Sequence, residues 1–130
     1  MRAHSPRSVV LLALALALGV TGCASGGGGG SARPAGASSN RIVRAELEAF
    51  PQMTASDVVQ RLRSSWLRPR INIPSAMLYV DGARRGRANA ELVYILASQI
   101  EQMEFMSGTD ATTRYGSDHQ GGAILVTMLR

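Results

Sequence analysis

Gly121-Gly122-Ala123-Ile124-Leu125-Val126-Thr127-Met128 is the stretch on which the fold turns. Two glycines supply a tight entry, and the run behind them is rich in β-branched and apolar residues, the pattern of a strand. Only Leu129 and Arg130 follow it. A strand finishing there can still be central to a sheet if neighbours pair on both of its sides. Upstream, Pro74 precedes Ala76-Met77-Leu78-Tyr79-Val80, and Asp81-Gly82 follows. That is a second short buried strand ended by a turn signal. Gly86 allows another bend, and Arg84, Arg85 and Arg87 read as a cluster on a solvated loop. Contact with phosphate groups of lipid or lipopolysaccharide is the functional alternative for these three.

Between the two strands, Ala90 to Met106 admits two readings. Leu92, Leu96, Ile100 and Met103 suit one long helix, which periodicity slightly prefers. The other reading is a helix to about Ala97 and a strand from Ile100 to Met106. Gly108 ends either version, and Asp110 to Arg114 reads as a single helical turn before Tyr115-Gly116. On the N-terminal side, Thr54 and Asp57 have N-cap and N3 spacing. Val58, Leu62 and Trp66 recur behind them with Val59 alongside, one apolar stripe of a helix. Arg61, Arg63 and Arg68 fall off the stripe, Pro69 closes the helical region, and Trp66 reads as a core residue.

Arg41 to Arg130 therefore reads as one small domain, with a core of modest size and no internal repeat. Ala24 to Asn40 is glycine, serine, alanine and proline with one arginine, Arg33. Such a segment buries too little to repay its ordering entropy, so residues 23–40 read as a flexible tether. It would hold the domain about 20 Å off an anchoring surface. Before it come Arg2 and Arg7, the apolar run Val9 to Leu18, and Val20-Thr21-Gly22-Cys23. Charged start, apolar middle and small-residue cut site are the layout of a secretory signal over residues 1–22. The apolar run is short against the ~20 residues of a spanning helix.

Val20-Thr21-Gly22-Cys23 resembles the lipobox of bacterial lipoproteins. That resemblance implies a diacylglycerol on the Cys23 thiol, cleavage just before it and a second acylation of the new N-terminus. Two or more chains anchor stably where one holds only marginally. Ala24 and Ser25, with no aspartate, are compatible in that family with sorting to the outer membrane. The domain then faces the periplasm of a Gram-negative envelope. Cys23 is also the only cysteine, so the chain forms no internal disulfide and no cysteine zinc site. Every Lys/Arg position is arginine; without the signal, 12 Arg stand against 9 Asp plus Glu, a balance of +3 in place of +5. Neither that charge nor the exported compartment favours nucleic acid as a partner.

The C-terminal third carries a second resemblance. Ile100-Glu101-Gln102-Met103-Glu104-Phe105-Met106-Ser107-Gly108, Ala111, Tyr115-Gly116 and Gly121 to Thr127 are similar to the end of the plug domain of TonB-dependent outer-membrane receptors. Tyr79-Val80-Asp81-Gly82 resembles an earlier strand end of that plug, and Asp57-Val58-Val59-Gln60-Arg61-Leu62 its opening helix. The resemblance covers most of Thr54 to Thr127. It implies a strand at Glu101 to Met106 and an α+β layer, a small mixed sheet with packed helices and no barrel. Ser107 and Thr109 depart from the receptors, which commonly have Arg and Pro there. No barrel follows Arg130, and Ile42-Val43-Arg44-Ala45-Glu46 matches a TonB-contact segment poorly. The resemblance therefore implies the fold and association with an envelope partner, such as a receptor barrel or a TonB-type protein, and not transport.

Catalytic chemistry is sparse. Ser117-Asp118-His119 has the residue types of a hydrolase triad, but three consecutive residues do not converge as nucleophile, base and orienter; His119 reads as a lone polar loop residue. One mature histidine leaves a transition metal without ligands. Glu46, Glu48, Glu101 and Glu104 are spaced as surface charges, and Gly26 to Gly30 lacks the lysine and preceding strand of a phosphate loop. The sequence thus predicts a non-enzymatic envelope lipoprotein without cofactor or metal, acting as a docking module. The alternative is a small-ligand or carbohydrate module. The candidate contacts are Arg84, Arg85, Arg87 and Tyr115, with Trp66 joining them in the ligand-binding alternative.

Overall fold

In the structure, a computed structural model describing residues 32–130, the C-terminal run is strand β5 (Ala123–Met128) and lies at the centre of a sheet. The signal, Cys23 and the glycine run fall outside the described residues. From the N-terminal side come β1 (Arg41–Val43), α1 (Arg44–Leu47), α2 (Ala55–Arg63), β2 (Met77–Val80) and β3 (Ala83–Arg87). Then follow α3 (Ala88–Glu91), β4 (Ile100–Met106), α4 (Gly108–Tyr115) and β5. The sheet order is β1-β4-β5-β2-β3. β5 runs antiparallel to β4 and parallel to β2. This is a mixed α+β fold with an open five-stranded sheet, four helices among the described residues and no barrel.

The apolar continuity of β5 follows from its place. Ile124 and Val126 join the cluster on one face, and Ala123 and Leu125 that on the other. A strand covered on both faces shows little alternation. Its double glycine is a matter of space. A Cβ on Gly121 would collide with the Pro74 carbonyl, and Gly122 has φ +93 with the Met106 carbonyl and the Phe105 ring against it.

The β2–β3 connection corrects the reading of the arginine cluster. Asp81 and Gly82 both have positive φ, 48° and 82°, the geometry of a two-residue type I′ hairpin. The chain turns straight back, so Arg84, Arg85 and Arg87 lie on edge strand β3 and not on a loop. Gly86 serves as a bulge rather than a bend: pairing shifts from Tyr79↔Arg84 to Leu78↔Gly86, leaving Arg85 as the extra residue.

The long helix over Ala90–Met106 does not form. α3 stops at Glu91, single 3-10 turns occupy Leu92–Tyr94 and Ala97–Gln99, and β4 begins at Ile100. The reason lies in residues 95–97. Ile95 O accepts from Ala55 N at 2.7 Å, and Ala97 N donates to Met53 O at 2.9 Å. These bonds satisfy one of the orphan donors at the start of α2, and between them Ile95 and Leu96 are held extended.

α2 itself starts as predicted. Thr54 accepts from Asp57 N at 3.2 Å, and Ala55, Val58 and Val59 are buried. It ends at Arg63, well before Pro69, and a 3-10 turn (Ser64–Trp66) sets Trp66 against Phe105 with ring centroids 5.6 Å apart. α4 is longer than the single turn expected, because Ser107 caps it by accepting from Asp110 N.

Two expectations about polar residues are overturned at the N-terminal end. Arg63 and Glu46, read as off-stripe and surface charges, form an ion pair at 2.9 Å with side chains only 7% and 9% exposed. Arg63 also donates to Ser38 O, Arg41 O and Leu62 O, so every arm of the guanidinium has a partner. The tether boundary at Asn40 moves for the same reason. Ser38 is clamped by Arg63 and bridged to Arg41, and Ser39 O accepts from Trp66 Nε1 at 3.0 Å. The segment Ile42–Glu46 is likewise built in: Ile42 is buried on β1 and Arg44 donates to Ser98 O and Ile100 O.

Candidate functional site

The predicted contact residues fall into two groups on and beside β3. Register places Arg84 opposite Tyr79 and Arg87 opposite Met77, on the sheet face that α4 covers. Arg84 Nη2 lies 3.8 Å from Asp118 Oδ2. Arg87 Nη1 donates to Ser75 O at 2.9 Å and to Asp118 O at 3.4 Å. Both side chains tie the edge strand to the 3-10 turn Ser117–His119.

Arg85 is separated from them by the bulge. It lines a cleft of about 270 Å³ together with Glu91, Tyr94 and Gln99, over a floor of Leu78, Val80, Ile95 and Met128. Tyr94 is 81% exposed at its rim. The ring was hidden in the sequence because the long-helix reading gave it no special place. The free edge of β3, one exposed cation and an apolar-floored cleft with an aromatic rim are the elements of a strand-docking surface.

Tyr115 is half-buried and is not an open platform. It stacks on Tyr79 at 4.6 Å between centroids, and the Arg114 guanidinium lies 5.3 Å from its ring centre. Trp66, the other aromatic expected in a binding site, is buried at 4% exposure, which fits the core reading and removes its broad face from solvent.

His119 departs furthest from expectation. It is 1% exposed, with Nε2 2.9 Å from the Tyr79 hydroxyl and Nδ1 3.2 Å from Gly116 O. Gly116 O can only accept, so Nδ1 carries the proton and the Tyr79 hydroxyl donates to Nε2. A buried imidazole satisfied at both nitrogens is a packing element. Ser117 and Asp118 are exposed while His119 points inward, so the three consecutive residues diverge. The signal that the sequence did hold was the shortness of the link from Tyr115-Gly116 to Gly121-Gly122, which presses its middle residue against the sheet.

Among the described residues no three His, Cys, Asp or Glu side chains gather as metal ligands, and no helix is long and apolar enough to cross a membrane. No protein-family model matches the chain, and no curated protein or solved structure is significantly similar to it. The likeness to receptor plug domains therefore rests on the quoted motifs.

Proposed function

We propose that the chain is a non-enzymatic lipoprotein of the outer membrane, acylated at Cys23, whose plug-like domain faces the periplasm and docks an envelope partner. The observation that carries this reading is the order of parts. A signal layout ends in Val20-Thr21-Gly22-Cys23, and a domain with its own core follows at close range. The plug likeness is the ground for choosing a strand at Glu101–Met106 over a continued helix, and β4 (Ile100–Met106) is in keeping with that choice. Docking is supported by the β3 edge, with exposed Arg85 beside the Tyr94 cleft. The candidate partner is a receptor barrel or a TonB-type protein.

Palmitate labelling of wild type against Cys23→Ala tests the anchor. Label is expected to disappear in the variant and membrane retention to fall, and equal labelling removes the lipoprotein reading. A photo-crosslinker at position 85, used in cells, tests docking. One partner at fixed stoichiometry is expected; recovery of abundant lipoproteins alone, in no fixed ratio, overturns it.

A further inference from the structure

Leu67-Arg68-Pro69-Arg70-Ile71-Asn72-Ile73-Pro74 links the 3-10 turn at Trp66 to β2. It closes on itself: Arg70 bridges Ile73, Ile73 N donates to Arg70 O at 3.3 Å, and Asn72 takes φ 60. This turn presents Ile71 at 91% exposure, the most exposed large apolar residue among those described, with Ile73 also exposed. A lone exposed isoleucine is ordinary; its neighbours here are not. Arg68 and Arg70 precede it in the same turn, and among the described residues no carboxylate comes within ion-pair distance of either. A cleft of about 200 Å³ beside the turn is lined by both arginines with Ser65, Ser75 and Asn89, and by no acid.

Two cations, neutral hydrogen-bonding groups and an apolar tip on one edge match an anionic amphiphile. An acidic peptide would satisfy the cations and leave Ile71 in water. Burying that side chain removes its apolar area from water, and each arginine near an anionic lipid surface adds electrostatic attraction. The route of the chain agrees. Ser39 O is bonded to Trp66, which is itself a wall of the cleft. Only eight residues separate Cys23 from Ala32 in the sequence.

We propose that Arg68–Ile73 is a membrane-surface contact, in which Ile71 enters the acyl boundary of an anionic phospholipid leaflet while Arg68 and Arg70 hold lipid phosphate. The proposal takes its setting from the lipoprotein reading, and its test separates the two.

The whole processed chain is reconstituted in vesicles with an environment-sensitive fluorophore on Ile71→Cys, or on Glu101→Cys at the opposite end of the sheet. A cooperative melt of each variant checks folding. With phosphatidylglycerol present, emission at 71 shifts to the blue and emission at 101 does not. Arg68→Glu with Arg70→Glu abolishes the shift, and phosphatidylcholine alone gives a smaller one. No shift at 71, equal shifts at both sites, or a shift indifferent to lipid charge and to charge reversal overturns the proposal. So does a shift produced by soluble polyglutamate and not by vesicles, which would assign the arginines to an acidic protein. A Cys23→Ser chain with the label at 71, added to preformed anionic vesicles, still shifts, and Ile71→Asp without the label floats with them about tenfold less. Equal palmitate labelling of wild type and Cys23→Ala with the 71 shift retained rejects the anchor and keeps the contact; label lost in Cys23→Ala with no shift at 71 rejects the contact and keeps the anchor.

Discussion

The face of the sheet beneath α1 and α2 is large and mostly aliphatic, with Trp66 and Phe105 at one end, while the face beneath α4 is smaller and centred on tyrosines. Leu78, Val80, Met103, Ile124 and Val126 belong to the first, packed with Ile42, Leu47, Val58, Val59 and Leu92. The second has Met77, Tyr79, Ala111 and Ala123 at its centre, with Met106, Tyr115 and Leu125 half-covered around them. A large apolar face derives its stability from area removed from water. A small face has less to gain that way and admits a polar residue, provided every polar atom is bonded; His119, held by Tyr79 and Gly116, meets that condition. The larger face also floors the Arg85–Tyr94 cleft through Leu78 and Val80, so the two sides differ in size and polarity, and each can be broken separately.

The largest effect is expected from Leu78→Ala, which empties a fully buried position on the larger face. Large-to-small core changes of this kind cost about 4 kcal/mol, close to half the stability of a domain of this size. Leu125→Ala, on the neighbouring parallel strand but facing the smaller side, should cost less than half as much in denaturant unfolding. Equal losses would erase the distinction between the faces. Glu46→Ala comes next, at about 3 kcal/mol, because it leaves the buried Arg63 guanidinium without its counter-charge. The three carbonyls that Arg63 still holds limit the damage. A loss below about 1 kcal/mol in the same unfolding experiment would show that the carbonyls alone suffice.

The smaller face responds more gently. Tyr79→Phe keeps the stack on Tyr115 and removes only the hydroxyl, leaving the buried Nε2 of His119 without its donor. The expected cost is about 1–2 kcal/mol. The double change with His119→Phe should recover part of it, since neither partner is then left unsatisfied. A double variant that loses the sum of two independent effects would place His119 and Tyr79 in separate roles.

Local patterns made β2, β5 and the start of α2 legible. Asp81-Gly82, Gly121-Gly122 and the Thr54–Asp57 spacing each act through their own backbone and need no distant partner. What misled was everything decided at long range. Leu92, Leu96, Ile100 and Met103 keep helical spacing, yet the backbone at 95–97 is claimed by Met53 and Ala55. Arg63 lies off an apolar stripe and is still buried, because carbonyls of Ser38 and Arg41 converge on it from more than 20 residues away in sequence. Of the candidate site, the cluster Arg84, Arg85 and Arg87 was visible as charge; the bulge that divides it, and the cleft that Tyr94 completes, depend on pairing with β2.

The smallest change in stability should come from Arg84→Ala. Its partner Asp118 is 3.8 Å away, and the two side chains are 52% and 71% exposed. Water screens such a pair, and exposed pairs contribute about 0–1 kcal/mol, so the melt should hardly move. Arg87→Ala is the internal contrast, since its bond to Ser75 O at 2.9 Å ties β3 to the segment before β2; about 1 kcal/mol is expected there. If the β3 edge is a docking surface, Arg84→Ala should nevertheless reduce crosslinking from position 85, and added salt should do the same. The reason is that charges on an exposed edge act over a Debye length of about 8 Å at physiological ionic strength. A clear fall in melting temperature for Arg84→Ala would instead make this edge part of what holds the domain together. The same substitution therefore decides whether β3 is a free border or a structural seam.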